Sequence, residues 1–399
     1  MDLKHAASIS DLRTMAKRRL PQFAFDFIDG GAEDEHGLRR NQTAFDAIEM
    51  VPRYLRDMSM LDHETELFGK SYAVPFGMAP VGALNLAWPG SDLAMARLAA
   101  KKRMILALSG NSSTAIEPMA EACEGHMWFQ SYMTQDVTIR EMLLSRAEAA
   151  GVEVLIVTVD IPRASKRDRD TRSGLVVPFQ LTPSILLDLI LHPRWSPLTR
   201  QAGSPNSANL KGTSLEAASR NHAEFQARLI SSSFDWDALQ KIRDRWKGKL
   251  LVKGILHPED AEFAVEGGMD GIIVSNHGGR QADYGPATIA VLPAIAKAVA
   301  GRIPIGLDSG IRRGHDVIRA KALGADFVLC GRAFAYGAAA GGAAGCERAY
   351  DLIEKSFLCA MGQLGCARFA EIDTRILATS VPVANDLADI HYGLQAVAE

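Results

Sequence analysis

Between residues 73 and 370 the chain repeats one pattern eight times: a short apolar run, then, in most cases, a stretch of helical periodicity. "YAVPFGMAP" precedes "GSDLAMARLAAKKR", "MILALS" precedes "TAIEPMAEAC", and "MWFQSY" precedes "DVTIREMLLSRAEAAG". "VEVLIVTVD" comes fourth, and after a long excursion "KLLVKG", "DGIIVSNHGG", "RIPIGLDSG" and "DFVLCGRA" resume the alternation. Runs that are apolar throughout belong in a parallel sheet, whose strands are buried on both faces and covered outside by helices. Eight such units predict an α/β protein built as one (β/α)8 barrel. Two smaller domains would need a linker, and nothing between residues 73 and 370 reads as one except the excursion.

The expected organisation is a single domain over residues 1–399. It comprises a mostly helical N-terminal extension (1–72), the barrel (73–370) and a C-terminal tail (371–399). The excursion after the fourth strand covers residues 161–234, far beyond an ordinary βα loop. It opens with the basic "RASKRDRDTR". It continues through "TPSILLDLILHPRWSPLTR", which groups Leu186, Leu187, Leu189, Ile190 and Leu191 beside Arg194 and Trp195. Apolar residues flanked by arginine and tryptophan suit a membrane surface, and a loop packed on its own barrel or a neighbouring subunit is the competing reading.

A net charge of −3 offers no basic face for nucleic acid. The five cysteines, Cys123, Cys330, Cys346, Cys359 and Cys366, show no paired spacing, so neither a metal site nor a disulfide frame is expected. Reduced thiols point to a cytoplasmic setting. The first 21 residues lack a continuous apolar region, so a secretory signal is not expected, and no run reaches the length of a membrane span.

In a barrel of this kind the working residues stand at the C-terminal ends of the strands. Those ends are polar in a coordinated way. They carry Pro80-Val81-Gly82, Ser109, Gln130-Ser131-Tyr132, Thr158 with Asp160, Lys253, Ser275 with His277 and Arg280, Asp308-Ser309-Gly310 with Arg312, and Gly331-Arg332. A single polar strand end is as often a structural cap as a functional group, but eight together describe a site.

"DSGIRRG" and "CGRA", each leading into a helix, supply glycine amides, helix N-termini and arginines for a phosphate. Tight turns needing glycine are the bland alternative. Lys253 ends an apolar strand in the barrel mouth and needs a carboxylate or an electron-rich ligand. His277 beside Arg280 reads as a general base next to a guanidinium suited to a carboxylate, and Asp160 is a candidate to hold the imidazole tautomer.

"LPQFAFDFIDGGAEDE", "TVDIPR", "LVKG", "SNHGGRQ", "DSGIRRG" and "KALGADFVLCGR" resemble the FMN-dependent L-2-hydroxy-acid dehydrogenases and oxidases, in that family's order and over nearly the whole chain. "LHPRW", "SFDWDAL" and "DSGIRRG" look most like its (S)-mandelate dehydrogenase branch. The resemblance implies FMN as cofactor and an L-2-hydroxy acid, of mandelate-like aromatic kind, as substrate. It makes His277 the base, Asp160 its partner, Arg280 and Arg167 the holders of the substrate carboxylate, and Tyr132 a contact to the substrate. Pro80, Val81, Gly82, Ser109, Gln130, Thr158 and Ser275 would surround the flavin ring, with Lys253 near its N1 and O2. Asp308 would bond the ribityl chain, and Ser309, Gly310, Arg312, Gly331 and Arg332 would lie against the phosphate. The resemblance also implies a homotetramer and a membrane-docking role for the apolar stretch, on the inner face of the cytoplasmic membrane.

The reduced flavin would pass its electrons to a quinone or other acceptor, or to O2 in an oxidase. Gly82 favours the former, because a larger alanine there tends to accompany the oxidases. Lactate- or glycolate-type chemistry is the nearby alternative, and a flavin-free phosphate-binding barrel the distant one. Two departures stand out: Phe27 replaces the family's usual tyrosine and Ser131 its usual leucine. Phe27, Ala83 and Met133 leave an apolar surround for the substrate.

Overall fold

The structure is a computed structural model that describes residues 2–132, 134, 136–175, 181–202, 207–218 and 232–378. The apolar runs become β3 (Phe76–Met78), β4 (Leu106–Ser109), β5 (Met127–Tyr132), β6 (Val154–Thr158), β7 (Lys249–Ile255), β8 (Gly271–Val274), β9 (Ile305–Asp308) and β10 (Phe327–Cys330). Each pairs in parallel with its sequence neighbours, and β10 closes the ring against β3. The runs read as uniformly apolar because both faces are buried. Ala107, Trp128, Val154, Ile156, Leu251, Ile273 and Leu329 fill the interior. Leu106, Leu108, Phe129, Leu155, Val157 and Val252 turn outward to the helices. This is the (β/α)8 barrel expected from the repeat.

The N-terminal segment is helical over α1 (Ile9–Arg19), α2 (Gln22–Asp29) and α3 (His36–Asp46). It also holds a hairpin that the sequence did not reveal, β1 (Thr65–Leu67) and β2 (Lys70–Tyr72). Its two turn residues, Phe68 and Gly69, both take positive φ, at 56° and 79°. Three-residue strands are too short to show a period of two, and phenylalanine is a poor advertisement for such a turn. The hairpin stoppers the barrel floor: Leu67, Phe68 and Tyr72 join the interior cluster, and Trp128 Nε1 donates to the Tyr72 hydroxyl at 3.0 Å.

Within the excursion, Thr182 caps a helix over Pro183–Leu191, its Oγ1 accepting from Ile185 N, with proline at the first helical position. Ile185 is buried and Leu189 packs against the core, while Leu186, Leu187, Ile190 and Leu191 are exposed. Trp195 departs from the expected surface patch. It is buried, donates from Nε1 to Leu86 O at 2.8 Å and meets Phe23 edge-on at 5.6 Å. It is the anchor of the excursion, because an indole finds a carbonyl there and an apolar cage around its ring.

A second attachment was not foreseen. Asn209, fully buried, donates to Gly110 O and accepts from Ile116 N, holding the loop after β4. Among the described residues no helix is long and apolar enough to cross a membrane.

Candidate active site

The strand ends meet at the top of the barrel. Trp128 belongs to the interior, so the alternation along β5 turns Gln130 and Tyr132 inward as well. Both side-chain amide atoms of Gln130 and the hydroxyl of Thr158 are buried without a hydrogen-bond partner. Orphaned polar atoms of this kind cost free energy unless a ligand satisfies them. A heteroatom-rich planar ring in the barrel mouth would do so.

Lys253 Nζ donates to Ser275 Oγ at 2.8 Å and pairs with Asp308 Oδ2 at 3.1 Å. Burial alone would lower the ammonium's pKa, but Asp308 and Asp160 outweigh it and raise it, so the cation persists in the mouth. Asp308 accepts from Ser309 Oγ at 2.8 Å through its other oxygen. Both carboxylate oxygens are therefore engaged within the protein, which the sequence reading of Asp308 as a ribityl contact did not anticipate.

His277 takes a left-handed conformation, φ 56°, immediately past β8. Its amide donates to Ser275 Oγ at 3.1 Å and its Nδ1 lies 3.0 Å from Asp160 Oδ1. Burial would raise the Asp160 carboxyl, but His277 and Lys253 hold it below the usual carboxylate range. An ionised carboxylate only accepts, so a neutral imidazole in this place carries its hydrogen on Nδ1 and leaves the lone pair on Nε2. The Tyr132 ring stacks on the imidazole with centroids 6.5 Å apart, and burial pushes its phenol up.

Two features that the sequence reading passed over hold this pair. Gly254 in β7 sits between the two strand ends, at a register shift and φ 113°. A Cβ there would stand 2.6 Å from Asp160 Cβ, so only glycine lets Asp160 through. Asn276 exchanges amide hydrogen bonds with Asn41 of α3, both at 2.8 Å. Asn276 stands inside the "SNHGG" motif, and that position was the available signal.

Arg280 donates from Nη1 to Phe27 O at 2.8 Å and Gly30 O at 3.0 Å, leaving Nε and Nη2 for an anion. Arg167 pairs with Asp170 at 3.0 Å. Burial, then repulsion from Arg167 and Arg332, brings the Arg280 pKa down to about 9. Guanidiniums gathered so closely are relieved by a bound carboxylate.

Two details of the structure bear on the phosphate reading. Arg332 donates from Nε, Nη1 and Nη2 to Ile28 O, Gly278 O and Gly30 O, and its backbone amide, which opens the helix Arg332–Leu364, is a further donor for a phosphate. Gly310, at φ 97°, is required by packing, because a Cβ would sit 2.2 Å from Asn41 O. The Arg312 amide is held by Asp316 at 3.0 Å, while its guanidinium stands 6.0 Å from the Tyr336 ring. Pro80, Val81 and Gly82 follow β3 beside the end of β10, and Ala83 N donates to Asn111 O at 3.0 Å. Met133 lies outside the described residues.

The residues present fit FMN: unpartnered polar atoms face the mouth, a buried cation stands beside them, and an arginine and a helix N-terminus lie at the last two strands. The fold and this mouth define a flavin-binding barrel. The FMN-dependent dehydrogenase family matches residues 16–379, and the chain belongs to it. The L-lactate dehydrogenase of Pectobacterium atrosepticum is 44% identical over 369 residues, covering 91% of this chain and 94% of that one. That of Xanthomonas euvesicatoria is 43% identical over 375 residues, 93% and 96% of the two chains. Among solved structures, the monotopic membrane protein (S)-mandelate dehydrogenase superposes with a TM-score of 0.89 at 35% identity, covering 94% of this chain and 99% of that one. A mandelate oxidase with (S)-4-hydroxymandelic acid gives 0.81 at 33% identity, over 93% and 98%.

Proposed function

We propose that this chain oxidises an L-2-hydroxy acid to the 2-oxo acid, with His277 as the base. The observation that carries the reading is the Asp160–His277 pair standing beside Arg280 and Arg167, a base next to a carboxylate receptor. FMN, when bound, accepts the two electrons leaving the substrate and later gives them up. Arg280 and Arg167 hold the substrate carboxylate, and Tyr132 contacts the carboxylate or hydroxyl. His277 Nε2 takes a proton from the substrate, and Asp160 stabilises the imidazolium that results. Gln130, Thr158, Ser275, Ser109 and Pro80 to Gly82 would surround the ring, and the Lys253 cation would stabilise the negative charge that reduction adds to it. Arg312 and the amides of Gly331 and Arg332 receive the phosphate, beside Ser309 and Gly310.

Two side chains are in contention for the substrate. The half-buried Phe27, with the Arg280 guanidinium 5.4 Å from its ring centre, gives an apolar wall that favours an aromatic, mandelate-like acid. The curated relatives, more similar in sequence, are named L-lactate dehydrogenases and favour a small one. Anaerobic stopped-flow bleaching of the flavin with (S)-mandelate, 4-hydroxymandelate, phenyllactate, L-lactate and glycolate decides between them. A chain that bleaches with none of these loses the hydroxy-acid reading.

The acceptor in this proposal is a quinone or similar carrier rather than O2, supported by the absence of a side chain at Gly82. The exposed apolar helix Pro183–Leu191 supports a peripheral seat on the cytoplasmic face of a membrane. A homotetramer belongs to the same proposal, and light scattering on the purified holoenzyme measures it.

A further inference from the structure

Behind the proposed carboxylate clamp lies a buried ionic hub that the chemistry above does not use. Asp29, at the end of α2, is 4% exposed and accepts from three segments at once. Arg13 of α1 meets it through Nε at 2.5 Å and Nη2 at 2.8 Å. Arg169 of the excursion donates at 2.6 Å, and the Tyr336 hydroxyl, from the helix after β10, donates at 2.7 Å. Arg169 spans on to Glu35 Oε2 at 2.5 Å.

The geometry around the hub runs straight to both clamp arginines. Arg169 is two residues past Arg167, on the short helix Asp168–Arg172 that Arg167 precedes. The carbonyls that hold Arg280, Phe27 O and Gly30 O, flank Asp29 in the chain. The two sides are stitched together further: Ser165 Oγ donates to Arg280 O at 2.6 Å, and Glu33 N donates to Lys166 O at 2.9 Å. A displacement of the hub therefore moves both guanidiniums relative to each other.

We infer that Asp29 is a positioning residue for the carboxylate clamp, setting Arg167 through Arg169 and Arg280 through the carbonyls beside it. The inference rests on the reading that Arg167 and Arg280 hold the substrate carboxylate. Burial would raise the Asp29 carboxyl, but its bonds from Arg13, Tyr336 and Arg169 hold it down to about 2, so it stays ionised as the hub requires. A clamp of two guanidiniums depends on their separation, and a misplacement of about 1 Å is enough to cost one to two orders of magnitude in rate.

The test compares FMN-loaded wild type, Asp29→Asn and Arg169→Gln on one 2-hydroxy acid and on its methyl ester, which lacks the carboxylate charge. The expected result is a fall of at least about tenfold in kcat/KM for the acid, carried more by KM than by kcat. Per bound flavin, the ester should change less than about twofold. Equal losses on acid and ester would mean general loosening and would overturn the inference, as would unchanged kinetics on the acid. Arg169→Gln leaves Asp29 its bonds from Arg13 and Tyr336, so it carries the test if Asp29→Asn does not fold. Arg167→Met run alongside separates the two claims: if it leaves the acid untouched, the clamp reading itself is at fault.

Discussion

Asp160 Oδ1 and His277 Nδ1 meet at 3.0 Å although 117 residues separate them in the chain. They stand past the ends of β6 and β8, which are not neighbours in the sheet, and β7 passes between them. Replacing His277 with asparagine should leave FMN bound and slow flavin reduction by at least ~10²–10⁴, the usual contribution of a general base. Asp160→Asn should cost less, since it disturbs the tautomer and leaves the base in place. Stopped-flow absorbance of the flavin reads both, and near-normal reduction in His277→Asn would remove the base assignment.

Gly254 is the residue that lets this pair form. Gly254→Ala places a methyl 2.6 Å from Asp160 Cβ in a backbone conformation that disfavours any side chain. The expected outcome is a reduction rate lowered toward that of Asp160→Asn, with a destabilisation of about 1–3 kcal/mol. Thermal melting and single-turnover reduction of one preparation check both at once.

Lys253→Met should leave the Asp308 carboxylate buried without its cation, a cost on the order of 3–5 kcal/mol. It should also lower the flavin's affinity and its midpoint potential, because the lost cation stabilises a reduced ring more than an oxidised one. Spectroelectrochemistry that finds the potential unchanged in an FMN-bound variant would mean the ammonium plays no part at the ring.

Phe27→Tyr adds a hydroxyl beside Arg280, whose guanidinium faces the ring at 5.4 Å. For a small acid such as L-lactate the added donor should lower KM with little change in the reduction rate, worth about 1–3 kcal/mol if fully buried. For an aromatic acid the same oxygen becomes a desolvated polar group against a ring and should reduce activity. The ratio of kcat/KM for the two acids, before and after substitution, is the readout.

The membrane reading rests on the exposed side chains of Pro183–Leu191, and the buried Trp195 dictates how to test it. Removing the whole segment would empty the site Trp195 fills against Phe23 and Leu86 and confuse docking with packing. Leu187→Ser, Ile190→Ser and Leu191→Ser together alter only exposed positions. The triple variant should remain folded and active toward a soluble dye while losing co-sedimentation with lipid vesicles. A wild-type protein that never sediments with vesicles ends the proposal.

The barrel and the rim of its mouth were legible because both write themselves in short, local patterns. An apolar run followed by a polar end is visible without any neighbour, and each strand end in "SNHGG" or "LVKG" carries its own residue types. What was not legible depends on approach between distant segments. Trp195 looked like a surface residue because nothing beside it in sequence announces Leu86 O or Phe23. Arg332 and Gly310 read as phosphate ligands, and their second duties did not show: one donates to the carbonyls of Ile28, Gly30 and Gly278, and the other makes room for Asn41. Asp29 sat unremarked in "FIDGG" because its three donors come from residues 13, 169 and 336.

The hairpin beneath the barrel has a consequence for the order of events. With Leu67, Phe68 and Tyr72 seated among Trp128 and Phe327, the barrel is plugged at its floor, and the doorway to the proposed site is its mouth. On the proposed chemistry, hydroxy acid, oxo acid and electron acceptor all use that doorway. Product then departs before the acceptor arrives, the two half-reactions alternate, and initial-rate lines at different acceptor concentrations run parallel. An excess of hydroxy acid rebinding over the reduced site blocks the entrance, so turnover passes through a maximum as substrate rises.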